Sequence, residues 1–188
     1  MDWKSLLSNH SKDINQHNIL TTNSETGEKA SLFLKNKAVC TQESGYILVE
    51  GPDAEVFLQG QVTCDVSNVV QGTSVNGAHL NPQGKVIFSF LLSKLKKGLI
   101  ILDVNKPILA TAMSSLKKYA VFSKVTLSLS ENFYSFLISS KASDDLSKLT
   151  GCSSIQKLSK GIIYSIVPKT LFSKWFDLIK DDITLIHN

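Results

Sequence analysis

Residues 46–130 carry patterns in an order that few folds accommodate: strand, helix, three strands, helix, strand. "YILVEG" is an apolar strand that ends at Gly51. "GPDAEVFLQGQV" then starts a helix, with Pro52 near its first turn, where the missing N–H costs nothing. Asp53 and Glu55 suit the positive N-terminal end, and Ala54, Phe57 and Leu58 fall on one helical face. Gly60 lies near the helix end. "TSVNGAHL", "KVIFSFLLSKL" and "LIILDV" read as strands separated by the turns "NPQG" and "KKG". "NKPILATAMSSLKKYA" is a helix, with Ile108, Ala112, Leu116 and Tyr119 at helical spacing. "SKVTLSLS" closes the run with Val125, Leu127 and Leu129 at the period of a half-buried strand. Two helices on one face of a largely antiparallel sheet make an α+β layer close to ferredoxin-like.

The flanks form a second unit. Residues 1–42 are polar, with turn signals from Asn23 to Gly27 and a short strand at Ser31 to Leu34. After residue 130, "NFYSFLIS" is a strand, "ASDDLSKLTG" a short helix and "GIIYSIVP" another strand. "KTLFSKWFDLIKD" follows as an amphipathic helix with Leu171, Trp175 and Leu178 on one side. This block needs a sheet partner, and the N-terminal residues are available to supply it. The expected organisation is therefore residues 1–44 with 131–188 as one α/β module, and 45–130 as a ferredoxin-like βαβββαβ module inserted in it.

Charge narrows the function. All the cationic residues in these 188 are lysine, and the net charge is only +4. Without arginine's bidentate grip on guanine edges, sequence-specific DNA reading is not expected. The tight lysine clusters, Lys94-Leu95-Lys96-Lys97 and Lys117-Lys118, read as solvated surface, with tRNA contact as the weakest of the functional options. Cys40, Cys64 and Cys152 form no CxxC and no zinc spacing, and His10, His17, His79 and His187 show no HxH or HxxxH, so no metal site is expected. No apolar run reaches the about 18 residues of a membrane span. With no secretory pattern at the N-terminus, the cytoplasm is the expected location.

The turn "HLNPQGKVIF" has one glycine and runs into β-branched and aromatic residues. A phosphate loop needs more glycine and a helix N-terminus directly after it, so this is a hairpin. Together with "GPDAEVFLQGQVTCDV" (Gly51 to Val66) and "LKKYAVFSKVTL" (Leu116 to Leu127), the turn "AHLNPQGK" (Ala78 to Lys85) resembles the YgfZ-type, GcvT-like folate-binding family. The resemblance is good over about residues 45–130 and looser over 131–188. The family's Lys-Gly-Cys-Tyr-x-Gly-Gln-Glu motif is absent, so its reactive cysteine is not carried over. Its C-terminal β-domain is not expected, and the chain is either a fragment or a shortened relative.

The resemblance implies a tetrahydrofolate-binding factor that supports iron–sulfur cluster assembly or repair. Through that role it would serve iron–sulfur enzymes that modify tRNA. Its partners would be a folate and iron–sulfur proteins or their assembly machinery. The related aminomethyltransferase carries an aspartate pair where this chain has Phe88-Ser89, which cannot act as a base. Aminomethyl transfer is thus the alternative and not the expectation, and a ligand-free interaction scaffold is the other rival. Candidate folate contacts are Gln59, Gln61, Asp65, His79, Asn81, Phe88 and Phe90, because a pterin needs an aromatic slot and polar groups at its ring edge. Each has a plainer role as well. Phe88 and Phe90 suit core packing, His79 a structural hydrogen bond, Gln59 and Gln61 helix-end capping, and Asp65 a turn.

Overall fold

The computed structural model describes residues 37–40, 44–139, 154–159, 162–179 and 184–186. They run β1 (Lys37–Cys40), β2 (Ser44–Glu50), α1 (Ala54–Gln59), β3 (Ser74–Leu80), β4 (Val86–Lys96), β5 (Leu99–Asn105), α2 (Leu109–Ala120) and β6 (Thr126–Ser130). Then come β7 (Phe133–Ser139), β8 (Ser154–Ser159), β9 (Ile162–Pro168), α3 (Phe172–Ile179) and β10 (Thr184–Ile186). Short 3-10 turns at Lys106–Ile108 and Lys169–Leu171 lead into α2 and α3. The strand at Ser31 to Leu34, the turn at Asn23 to Gly27 and the helix in "ASDDLSKLTG" lie outside the described residues.

Among the described residues the strands form two sheets, in the orders β3-β4-β5-β2-β6 and β10-β1-β7-β9-β8. Every pair in the first sheet is antiparallel. In the second, only β1 and β10 run parallel. The N-terminal strand β1 thus joins the sheet built after residue 130.

The alternation of side chains explains the layering. Ile47 and Val49 of β2, Phe88, Phe90 and Leu92 of β4, and Ile100, Leu102 and Val104 of β5 pack against one face of each helix. Those helix faces are Ala54, Phe57 and Leu58 of α1, and Ala112, Met113 and Leu116 of α2. On the opposite face Tyr46, Leu91 and Ile101 meet Ile166 of β9, with Phe133 and Tyr164 packed beside them. The far side of the second sheet is covered by α3, whose Trp175 stacks on Phe136 at 4.5 Å between centroids. The order of layers is helix, sheet, sheet, helix. Central strands of the first sheet are therefore covered on both faces, which is why β4 and β5 read as continuous apolar runs.

Asp53 and Glu55 do lie at the N-terminal end of α1, and the structure adds local detail that the sequence does not carry. Helix α1 begins at Ala54, so Pro52 sits in the turn before it. Asp53 does not cap the helix through its side chain. Its Oδ2 instead accepts the Lys124 N–H at 2.8 Å, a long-range bond that local spacing does not reveal. Trp175, expected on the covered side of α3, is buried together with Phe172, while Leu171 of the preceding turn is only half-buried and the Leu178 side chain lies outside what is described.

Candidate functional site

The "NPQG" turn closes on itself. Asn81 Oδ1 accepts the N–H groups of Gln83 at 3.0 Å and Lys85 at 2.9 Å, and Gly84 takes φ +77°. Only glycine takes that angle without strain. The chain then enters β4 and not a helix, so the turn is a hairpin tip.

The polar residues before it also serve the chain. Gln59 Oε1 accepts the Val66 N–H at 2.8 Å, pinning the loop to the end of α1. Thr63 Oγ1 accepts the Ala78 N–H at 3.0 Å, tying the loop to β3. The exposed Asp65 carboxylate accepts from Ser67 N at 3.0 Å, from Ser67 Oγ at 2.5 Å and from Asn68 Nδ2 at 2.6 Å. The Ser67 hydroxyl above all holds its pKa below the ordinary value. Cys64, between these residues, is buried, and burial raises its thiol pKa. That is the setting of an inert thiol.

His79 is 2% exposed. Its Nδ1–H donates to the Gln61 carbonyl at 2.7 Å, and Nε2 meets the Ser115 hydroxyl of α2 at 2.9 Å. The ring lies 5.2 Å from Phe88, which is 5.7 Å from Phe90. Phe88 and Phe90 are themselves 2% and 5% exposed. The structure thus gathers His79, Phe88, Phe90 and the Gln61 backbone on the helix side of the sheet. Gln59, Asp65 and Asn81 stay in the loops beside it. Among the described residues, the Gln61 side chain has no hydrogen-bond partner, whereas those of Gln59, Asp65 and Asn81 are engaged.

A second cluster was not foreseen. Asp103 on β5 faces the other sheet and is 8% exposed. Its Oδ2 accepts from Ser135 Oγ and Tyr164 OH, each at 2.7 Å, and from Ser44 Oγ at 3.3 Å. With the Ser135 proton so placed, Tyr46 OH donates to Ser135 at 2.8 Å. No ion pair reaches Asp103 among the described residues. Burial therefore raises its pKa, and the three hydroxyls only partly oppose this. One signal could have found it: a lone acid inside the apolar run "LIILDV".

The folded state thus holds the Asp103 proton more tightly than the unfolded chain does. Its contribution to stability is complete below the ordinary carboxylate value of 3.8 and is lost as pH rises through the elevated folded value. Compared with Asp103→Asn, which cannot ionise, the natural chain should lose unfolding free energy as pH rises above the ordinary carboxylate value of 3.8 and through the elevated folded value. Urea titrations of both proteins across that range measure this. A difference that does not change with pH would show that the carboxyl titrates normally.

An open groove of about 590 Å³ lies between α2 and the edge strand β6, lined by Ala110, Met113, Ser114, Lys117, Lys118 and Leu129. No helix among the described residues is long and apolar enough to cross a membrane. No group of His, Cys, Asp and Glu among them is placed to hold a metal ion.

No protein-family model matches the chain. A tRNA-modifying protein YgfZ of Aliivibrio fischeri is 31% identical over 136 residues, which is 72% of this chain and 42% of that protein. The YgfZ of Photobacterium profundum is 40% identical over 88 residues, 47% of this chain and 26% of its own length. An uncharacterized protein of Haemophilus influenzae is 45% identical over 83 residues, 44% of this chain and 30% of that protein. The chain spans less than half the length of these relatives. The structure is similar to the glycine cleavage system aminomethyltransferase T from Bartonella henselae, with a TM-score of 0.61 and 16% identity. That match covers 84% of this chain and 50% of the aminomethyltransferase, and at such identity it is a likeness of fold. Taken together, the sequence likeness to YgfZ proteins and the shared aminomethyltransferase fold show that the chain belongs, over the part it spans, to the YgfZ/GcvT-like family.

Proposed function

We propose that the chain binds a folate, tetrahydrofolate or a derivative, and supports the assembly or repair of iron–sulfur clusters. Its clients would be iron–sulfur proteins of the cytoplasm, among them enzymes that modify tRNA. The observation that carries this reading is the likeness over 136 residues to a protein named as tRNA-modifying. The distribution of strands between two sheets supports the matching division of the chain. In it, residues 45–130 form a ferredoxin-like module inserted between 1–44 and 131–188.

Gln61 is the amide best suited to a pterin edge, since its side chain is not engaged by the described residues. Phe88 and Phe90 would back such a site from within the core, since neither exposes its ring. Aminomethyl transfer is disfavoured because Phe88 is buried and apolar and the exposed Ser89 lacks a carboxylate. The ligand-free scaffold is favoured by one observation: Gln59, Asp65, His79 and Asn81 already bond to the chain itself.

Titration calorimetry with tetrahydrofolate and 5-formyltetrahydrofolate separates these readings. Micromolar binding is expected, weakened about fivefold by Gln61→Ala, the effect of losing one neutral hydrogen bond. Absence of binding up to millimolar folate would overturn the folate reading in favour of the scaffold.

A further inference from the structure

We propose that the exposed end of α2 and the turn after it form a contact surface for single-stranded RNA. This rests on the reading of the chain as a factor in tRNA modification, and names a direct contact for it. Residues 106–130 carry Lys106, Lys117, Lys118 and Lys124 and no aspartate or glutamate. Ala110, Ser114, Lys117 and Lys118 follow helical spacing along one exposed stripe of α2, and with Met113 and Leu129 they line the groove against β6. Val121, the C-cap of α2, keeps helical dihedrals, so the stripe continues into Val121 and Phe122. Val121 is 75% exposed and Phe122 88% exposed.

A phenylalanine held almost entirely in water gains nothing from folding. Beside two lysines it has the two parts of a single-strand platform: a ring on which a base stacks and cations that track the backbone. The lysines make a polyanion the complementary occupant. The base-stacking ring favours RNA over an acidic protein. Lys124 contributes less, because Glu50, in register opposite Thr126, and Asp53, which accepts the Lys124 N–H, lie at its end of the surface.

The test is fluorescence anisotropy of the 188-residue chain with a labelled single-stranded RNA of about twelve nucleotides at several salt concentrations. Phe122→Ala should weaken binding about tenfold and leave the salt slope unchanged. Lys117→Gln with Lys118→Gln should lower the magnitude of the log–log salt slope by about 1.4, the release expected from two phosphates of a single strand. Absence of RNA binding, or affinities untouched by both variants, would overturn the proposal. So would polyglutamate competing as well as unlabelled RNA, which would mean that the surface reads charge alone. Folate calorimetry on the same variants should match the natural chain. RNA binding lost while folate binding stands defeats only this inference, and the reverse defeats only the folate reading.

Discussion

Phe88→Ala is expected to destabilise the chain by about 3–5 kcal/mol, the usual cost of emptying a buried phenylalanine site. The ring is 2% exposed and contacts His79 and Phe90. Its removal opens a cavity beneath α2, beside the imidazole that bridges the Gln61 carbonyl to Ser115. Partial collapse would be hindered because both neighbours are fixed, one by hydrogen bonds and the other by the same core. Val86→Ala, on the same strand but 63% exposed, should cost under about 0.5 kcal/mol. Urea unfolding of the two variants measures the contrast. A loss below about 1 kcal/mol for Phe88→Ala would mean that the ring fills a loose, open site and not a packed one. The same experiment bears on ligand studies. Folate binding lost in Phe88→Ala would report the core before it reported a pterin wall, so Gln61 is the cleaner probe.

The hairpin and both helices of residues 46–130 were legible because each rests on local chemistry. Asn, Pro and Gly specify the turn, and apolar spacing at three and four residues specifies the helices. The apolar runs of β4 and β5 also announced strands buried on both faces, but not what would cover the second face. That cover is the sheet carrying Ser135, Tyr164 and Ile166, brought in by contacts distant in sequence. The Asp103 cluster was therefore invisible to periodicity, since its partners come from three other strands. Strands β1, β8 and β10 were not read either. "KAVC" and "TLI" are too short to show alternation, and "SIQKLS" mixes polar residues at both parities. Among the site candidates, residue type pointed to polar groups near the hairpin. It could not say that Gln59, Asp65 and Asn81 would spend their oxygens on hydrogen bonds within their own loops.

Gly51→Ala should be far more damaging than Gly60→Ala, costing on the order of 3 kcal/mol or more. Gly51 takes φ +131°, a conformation that residues with a Cβ rarely adopt. An added Cβ would also overlap the Lys124 carbonyl oxygen and press on Val125 Cα, and both are backbone that cannot swing aside. The position is a junction. The Gly51 N–H donates to the Gly98 carbonyl at the β4–β5 hairpin at 3.0 Å, its own carbonyl accepts the Ala54 N–H at 3.2 Å where α1 starts, and two residues on Asp53 holds Lys124. Displacing it therefore disturbs the hairpin, the helix start and the entry to β6 at once. Gly60 is the matched control. It lies in the right-handed helical region with φ −80°, and an added Cβ would make only ordinary contact with the Phe57 carbonyl. Gly60→Ala should be neutral or stabilise by about 0.4–1 kcal/mol through the entropy of the unfolded chain. Opposite signs for the two substitutions in parallel denaturant titrations would establish the junction. Equal, small effects would show that the Gly51 segment can move away from Lys124 without cost.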